Sequence, residues 1–204
     1  MMAERHVPAS RPSAPASEIV FMGPPGVGKG TQAKRLQSNL GWIQLSTGEL
    51  FRDHIRRATE LGTLARSFMD RGEYVPDEVT VRMVEGFIDA LPPDARVMFD
   101  GFPRTLEQAR DLDQVLEKRR RRIGKVLLLT VPREELVRRI VARSRSEGRA
   151  DDTPEVMARR FDVYNEQTRP VVDFYAGKGL VAEIDGAGEI DEVNARLMDA
   201  ARTW

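Results

Sequence analysis

The stretch that decides the fold is GPPGVGKGTQ (residues 23–32), which follows directly on the apolar run EIVFM (18–22). Gly23, Gly26, Gly28 and Lys29 satisfy the spacing G-x-x-x-x-G-K of a phosphate-binding loop. Its order of apolar run, glycine-rich turn and amphipathic stretch is the context such a loop requires, and an ordinary strand-to-helix turn is the weaker reading. Glycines let main-chain N–H groups curl around phosphate oxygens without Cβ clashes. The helix that follows adds the positive end of its dipole, and Lys29 supplies a cation that can follow charge across the outer phosphates.

Gly30 departs from the generic pattern, which has Ser or Thr after the lysine; here the hydroxyl arrives one residue later, at Thr31. The usual hydroxyl ligand to Mg²⁺ is therefore missing. The expected helper is Asp100, which ends RVMFD (96–100). A carboxylate at the tip of a neighbouring parallel strand often reaches Mg²⁺ through water.

Working outward, WIQL (42–45), RVMF (96–99), KVLLLTV (125–131) and GLVAEI (179–184) read as further buried strands separated by helical patterns. That alternation predicts an α/β fold with a parallel sheet covered on both faces. Residues 47–91 hold about three helices before the next strand, punctuated by TELGT (59–63) and DRGEYVPDE (70–78). They read as a small inserted helical subdomain whose glycine-bearing connections permit hinge motion. SRSEGRADDTP (144–154) reads as a mobile loop, closed by Thr153 as a helix cap and Pro154 in the first turn.

With 204 residues the chain has room for one such domain, and its 32 basic and 32 acidic residues give no drive toward nucleic acid or anionic membranes. Zero cysteines exclude disulfides and thiolate metal sites. No apolar run approaches the roughly 20 residues of a membrane span. The first 17 residues are rich in Pro, Ser and Ala and read as a disordered extension. A transit peptide is the sharper alternative, favoured by Arg5 and Arg11 and opposed by Glu4 and the prolines. KRRRR (118–122) reads as a solvated helix end rather than a nucleic-acid patch. Met157, Phe161, Tyr164, Thr168, Val171 and Tyr175 are spaced as one helix face packing on the sheet, kinked by Pro170. His6 and His54 read as surface or satisfied histidines with no role.

Four segments together, GPPGVGKGTQ, LSTGELFR (45–52), DGFPRT with Gln108 (100–108) and GRADD (148–152), resemble adenylate kinases in order and spacing, from about Glu18 to Gly188. The resemblance implies a P-loop NTPase-like three-layer sandwich: a five-stranded parallel sheet flanked by helices. It implies a single kinase domain over 18–204, with core segments 18–46, 92–143 and 153–204. An NMP-binding insertion would span 47–91 and a short lid 144–152. The implied reaction is ATP plus AMP to two ADP with Mg²⁺.

The implied ATP site comprises Gly26, Val27, Gly28, Lys29, Gly30 and Thr31, with Arg139, Arg143 and Gly188. On the AMP side, Thr47 and Gln108 would meet the base, and Arg52 and Arg104 the phosphate. Glu73, Tyr74, Val75, Gly101, Arg149 and Arg160 would complete that site. Lys29, Arg104, Arg139, Arg143, Arg149 and Arg160 would be catalytic, with Asp151 and Asp152 positioning the lid arginines. Physical chemistry points the same way, since transfer between two anions asks for neutralisation, alignment and exclusion of water. Arg139 and Arg143 share a helix face, beside an apolar stripe of Leu136 and Ile140.

Glu49 and Arg66 stand where relatives commonly carry Asp and Lys. Only SRSEG separates Arg143 from Arg149, which resembles the short-lid type without structural zinc. Thr47 and Gln108 favour adenine over the UMP/CMP kinases of the same group. A regulatory module without turnover would be expected to lack Lys29, Asp100 or the lid arginines, and all are present. The expectation is a cytoplasmic monomer that binds ATP and AMP or ADP, with no nucleic-acid or membrane partner.

Overall fold

Strict alternation in β1 (Ala16–Met22) sends Ile19 and Phe21 to one face of a sheet and Val20 and Met22 to the other, all of them buried. A strand apolar on both faces needs cover on both. The structure, a computed structural model, describes residues 16–147 and 153–202, and of residues 16 and 143–147 the backbone alone. Residues 1–15, including His6, lie outside the described residues, as does GRADD with Arg149, Asp151 and Asp152.

The sheet has five parallel strands in the order β2-β3-β1-β4-β5, with β2 at Ile43–Ser46, β3 at Val97–Asp100, β4 at Arg121–Thr130 and β5 at Val181–Asp185. On one face Val20, Leu45, Phe99 and Val126 pack against α4 (Asp77–Asp89), α5 (Leu106–Lys118) and α8 (Arg169–Ala176). On the other, Ile19, Phe21, Leu127 and Leu129 pack against α1 (Lys29–Leu40), α6 (Arg133–Glu147) and α9 (Ile190–Arg202). The result is three layers with two apolar interfaces. Each fully buried large side chain, such as Leu36 of α1 or Leu197 of α9, stabilises by about 1.5–3 kcal/mol.

Between β2 and β3 run α2 (Thr47–Arg56), α3 (Glu60–Met69) and α4. Phe51, Ala65 and Val75 form a third, separate core there, joined by Ile55, Leu61 and Phe68. Of these helices α4 also reaches the sheet, through Val84 and Ile88.

The structure corrects several expectations. TELGT is not a loop: Thr59 caps α3 by accepting from the Gly62 N–H (3.1 Å), and the other four residues form its first turn. A Cβ on Gly62 would sit 2.2 Å from the His54 carbonyl oxygen, so this glycine serves close helix packing. His54 is a satisfied histidine, its Nδ1 2.9 Å from the Thr59 hydroxyl. Helix α6 runs on through Ser144 to Glu147, so SRSE is helical rather than loop. Thr153 does cap α7 (Pro154–Val163), accepting from Val156 N–H at 3.3 Å. Between α7 and α8 the irregularity is a π-helical turn, Tyr164–Thr168, and Pro170 sits in the first turn of α8, where its missing N–H is tolerated.

KRRRR divides between two elements. Helix α5 stops at Lys118, Arg120 turns the chain at φ 55°, and Arg121 and Arg122 begin β4 beside Ala16 and Ser17 of β1. Those two residues of β1 are therefore strand, not extension. The physical reason is Glu18, a carboxylate with no exposure in the middle of the sheet. It accepts from Arg121 Nε at 2.6 Å and from Val97 N–H at 2.5 Å, while Arg121 also donates to the carbonyls of Ala95 and Pro93. Burial pushes the Glu18 carboxyl up, and both of these bonds pull it back down.

Arg121→Met should cost about 3–5 kcal/mol in urea unfolding, because it strands a buried carboxylate. Adding Glu18→Leu to the same chain should recover much of the loss. Equal destabilisation of the single and double variants would contradict this account.

Candidate active site

In an open parallel sheet, ligands gather outside the carboxyl ends of the strands where the strand order reverses. Here that point lies between β1, β3 and β4. Chain leaving β1 turns at Gly23, at φ 147°, where a Cβ would come within 2.5 Å of the Leu129 carbonyl oxygen. No side chain fits, so the loop lies flush on β4. Gly26, at φ 83°, is equally constrained, by Ile140 of α6. Gly30 differs: a Cβ there would meet nothing within 4 Å, so packing does not explain this glycine.

Lys29 opens α1 and bends back over the loop, donating to the carbonyls of Gly23 (2.6 Å) and Pro24 (3.1 Å). Arg104, beyond β3, donates through Nε to the Gly101 carbonyl at 2.7 Å, and its guanidinium lies 4.8 Å from the Tyr74 ring centroid. Gly101 is at φ 75°, and a Cβ there would meet the guanidinium at 2.8 Å. Arg139 of α6 donates to the carbonyls of Val27 and Gly186, each at 3.0 Å, and to Glu135 at 2.8 Å. Carbonyl oxygens are neutral acceptors. Such contacts position a cation without themselves cancelling its charge, as a polyanion site requires.

Asp100 closes β3 beside Phe21 of β1, and Gln44 of β2 donates to its Oδ2 at 3.0 Å. Burial pushes the Asp100 carboxyl above the ordinary carboxylate range, against Lys29, the Gln44 bond and Arg104. Among the described residues no three His, Cys, Asp or Glu side chains gather as a metal cage. A single buried carboxylate fits Mg²⁺ that brings its own waters and phosphate oxygens, and does not fit an ion held by protein alone.

Two connected cavities result. The larger, about 1060 Å³, is lined by Gly26, Val27, Gly28, Lys29, Gly30 and Thr31, by Asp100, Arg104 and Arg139, and by Gly188. The smaller opens into the inserted helices and is lined by Thr47, Glu73, Val75 and Gln108. Arg52, Tyr74, Gly101, Arg104 and Arg160 line both. The structure thus brings together the expected site residues that it describes. The backbone of Arg143 lies in α6, with its side chain outside the described residues.

Several members of the site carry no motif. Tyr164 and Thr168, the two ends of the π-helical turn, line the cleft. Burial raises the Tyr164 hydroxyl to about 12, so it stays a neutral donor. Thr168 Oγ1 donates to the Arg104 carbonyl at 2.9 Å and lies 2.8 Å from the Tyr74 hydroxyl. Gln44 and Glu135 hold Asp100 and Arg139 in place. The only signal for Gln44 is a polar residue inside WIQL. A π-helical turn leaves no periodic trace.

The sequence profile of a family described as adenylate kinase matches residues 21–180. The chain is similar to the adenylate kinase of Thermus thermophilus, 47% identical over 182 residues that cover 89% of this chain and 95% of the relative. It is similar to those of Nocardioides sp. (46% identical, 89% and 95% covered) and Stenotrophomonas maltophilia (45% identical, 90% and 98% covered).

Tyr74→Phe keeps the ring beneath Arg104 and removes the bond to Thr168; chemical denaturation should show a loss of about 1 kcal/mol. Thr168→Val leaves both the Arg104 carbonyl and the Tyr74 hydroxyl without that partner and should cost more, about 1–3 kcal/mol.

Proposed function

The chain belongs to the adenylate kinase family and catalyses reversible phosphoryl transfer from ATP to AMP, giving two ADP; we propose that its cleft performs this as one direct transfer between two bound anions. This activity serves adenine-nucleotide homeostasis. The observation that carries the mechanism is the convergence of Lys29, Arg104 and Arg160 on a cleft whose two cavities share walls.

In this reading the loop at residues 23–31 cradles the ATP phosphates, with Arg139, Arg143 and Gly188 completing that side. The inserted helices over 47–91 hold AMP. Its phosphate lies on Arg52 and Arg104, and its base meets Thr47 and Gln108, beside Glu73, Tyr74 and Val75. Lys29 gives up its contacts with the Gly23 and Pro24 carbonyls for the transferring group. Arg149 and Arg160 flank the group in flight. The insertion and the lid over 144–152 close to exclude water, a motion for which the adenylate kinase lid is itself a standard example.

Asp100 would hold Mg²⁺ brought in by ATP, through water, and the ion would supply neutralisation of phosphate charge. An AMP phosphate oxygen is already anionic, so the step needs little general base. No histidine or cysteine lines the cleft among the described residues. The proposal extends to a cytoplasmic monomer without structural zinc and without nucleic-acid or membrane partners. The absence of cysteine and the balance of 32 basic against 32 acidic residues support it.

An ADP-formation assay with a panel of monophosphates should show strong preference for AMP. Equal turnover of CMP or UMP would move the chain to the pyrimidine branch of the group. Lys29→Met should lower kcat about 10²-fold or more, roughly 3 kcal/mol of transition-state stabilisation. Near-normal kcat in that variant would remove Lys29 from the chemistry.

A further inference from the structure

Asp77 opens α4 in the inserted helices, and its carboxylate faces α5. Its Oδ1 accepts from Gln108 Nε2 at 2.6 Å, and its Oδ2 from the Thr105 hydroxyl at 2.5 Å. On the other side of the same amide, Gln108 Oε1 accepts from the Arg104 main-chain N–H at 2.7 Å. Two groups of fixed polarity therefore bracket Gln108: a carboxylate that can only accept and a main-chain amide that can only donate. The orientation of a glutamine amide is ordinarily ambiguous. Here the network determines it, since a flip would set oxygen against oxygen at Asp77 and N–H against N–H at Arg104.

Gln108 is 1% exposed, yet it lines the smaller cavity together with Thr47. Among the described residues, one N–H and one oxygen lone pair of its amide have no protein partner. A donor and an acceptor thus remain, in an order the side chain cannot reverse.

We infer that Asp77 is a specificity-determining residue: by locking the amide of Gln108 it selects monophosphates whose base carries an exocyclic amino group beside a ring acceptor. Adenine presents an amino donor at position 6 and an acceptor at position 1. Guanine presents the reverse, a carbonyl oxygen and a ring N–H, and would need the flipped amide. Cytosine resembles adenine in this respect and uracil resembles guanine. Hence the lock separates amino from oxo bases, and the distinction between adenine and cytosine belongs to pocket size and to Thr47. A site that fixes its own hydrogen-bond pattern rejects a mismatched base more strongly than one that can rotate to suit it.

This inference depends on the reading that Gln108 meets the base, so the experiment separates the two. Specificity constants for AMP, GMP, CMP and UMP are measured on the full chain with saturating ATP. In Gln108→Ala the AMP-over-GMP preference should fall about tenfold or more, the worth of one good bidentate base contact. In Asp77→Asn, which is isosteric and can donate as well as accept, that preference and the CMP-over-UMP preference should both fall about tenfold. Asp77→Glu, which keeps an acceptor-only group, should retain more of both preferences than Asp77→Asn does. Thermal midpoints within a few degrees of wild type establish that the variants are folded. Should Asp77→Asn not fold, Asp77→Ser carries the same comparison. If Gln108→Ala leaves the preferences unchanged, the base-contact reading falls and the inference with it. If Gln108→Ala relaxes them and folded Asp77→Asn or Asp77→Ser does not, Asp77 is only a joint between α4 and α5, and the inference alone is overturned. A general loss of turnover with unchanged base ratios in the Asp77 variants overturns it in the same way.

Discussion

Cations bonded to main-chain carbonyls are the feature on which the rest of the site depends. Lys29 leans on Gly23 and Pro24, Arg104 on Gly101, and Arg139 on Val27 and Gly186. Like charges crowded into one cleft repel, and pairing each with a carboxylate would cancel the charge that a polyphosphate must find. Carbonyl dipoles resolve the conflict, but only if the loops leaving β1, β3 and β5 meet at one edge. Parallel strands deliver that geometry, because every strand ends at the same edge of the sheet. The glycines follow from the same demand: side chains at Gly23 or Gly101 would collide with the Leu129 carbonyl or the Arg104 guanidinium. Glu135 also binds Arg139, through Nε, leaving the two terminal nitrogens to the Val27 and Gly186 carbonyls.

The inserted helices join the rest of the fold through one apolar anchor and several polar links. α2 and α3 share their own apolar centre around Phe51 and Ala65, and α4 anchors it to the sheet through Val84 and Ile88. The links that face the site are polar. Tyr74 meets Thr168, and Asp77 meets Thr105 and Gln108. Polar links set direction as well as distance, so a shift of the insertion re-aims Arg104 and Gln108 together.

Much of this was legible in the sequence. The phosphate loop, the five strands, the cap at Thr153 and the apolar stripe of Leu136 and Ile140 are written in local spacing, and the structure has them in place. What was not legible depended on partners distant in the chain. Arg121 reads as one more cation in a basic run until Glu18, about a hundred residues away in a neighbouring strand, requires it. Gly62 reads as a turn residue until the His54 carbonyl lies against it. Pro170 announced a break in the helix, and the break took the form of a π-helical turn that places Thr168 and Tyr164 in the cleft. Gln108 was legible as a site residue, whereas the orientation of its amide follows from Asp77 and Arg104, which only the fold brings together.

The central claim is a single direct transfer between two nucleotides held in one cleft, with cations and alignment in place of a covalent intermediate. The stereochemical course at phosphorus tests it most directly. With ATP made chiral at its γ-phosphorus by oxygen isotopes, one in-line displacement inverts configuration in the ADP formed from AMP. The account predicts inversion. Retention would mean two successive displacements through a phosphorylated side chain, and would contradict it.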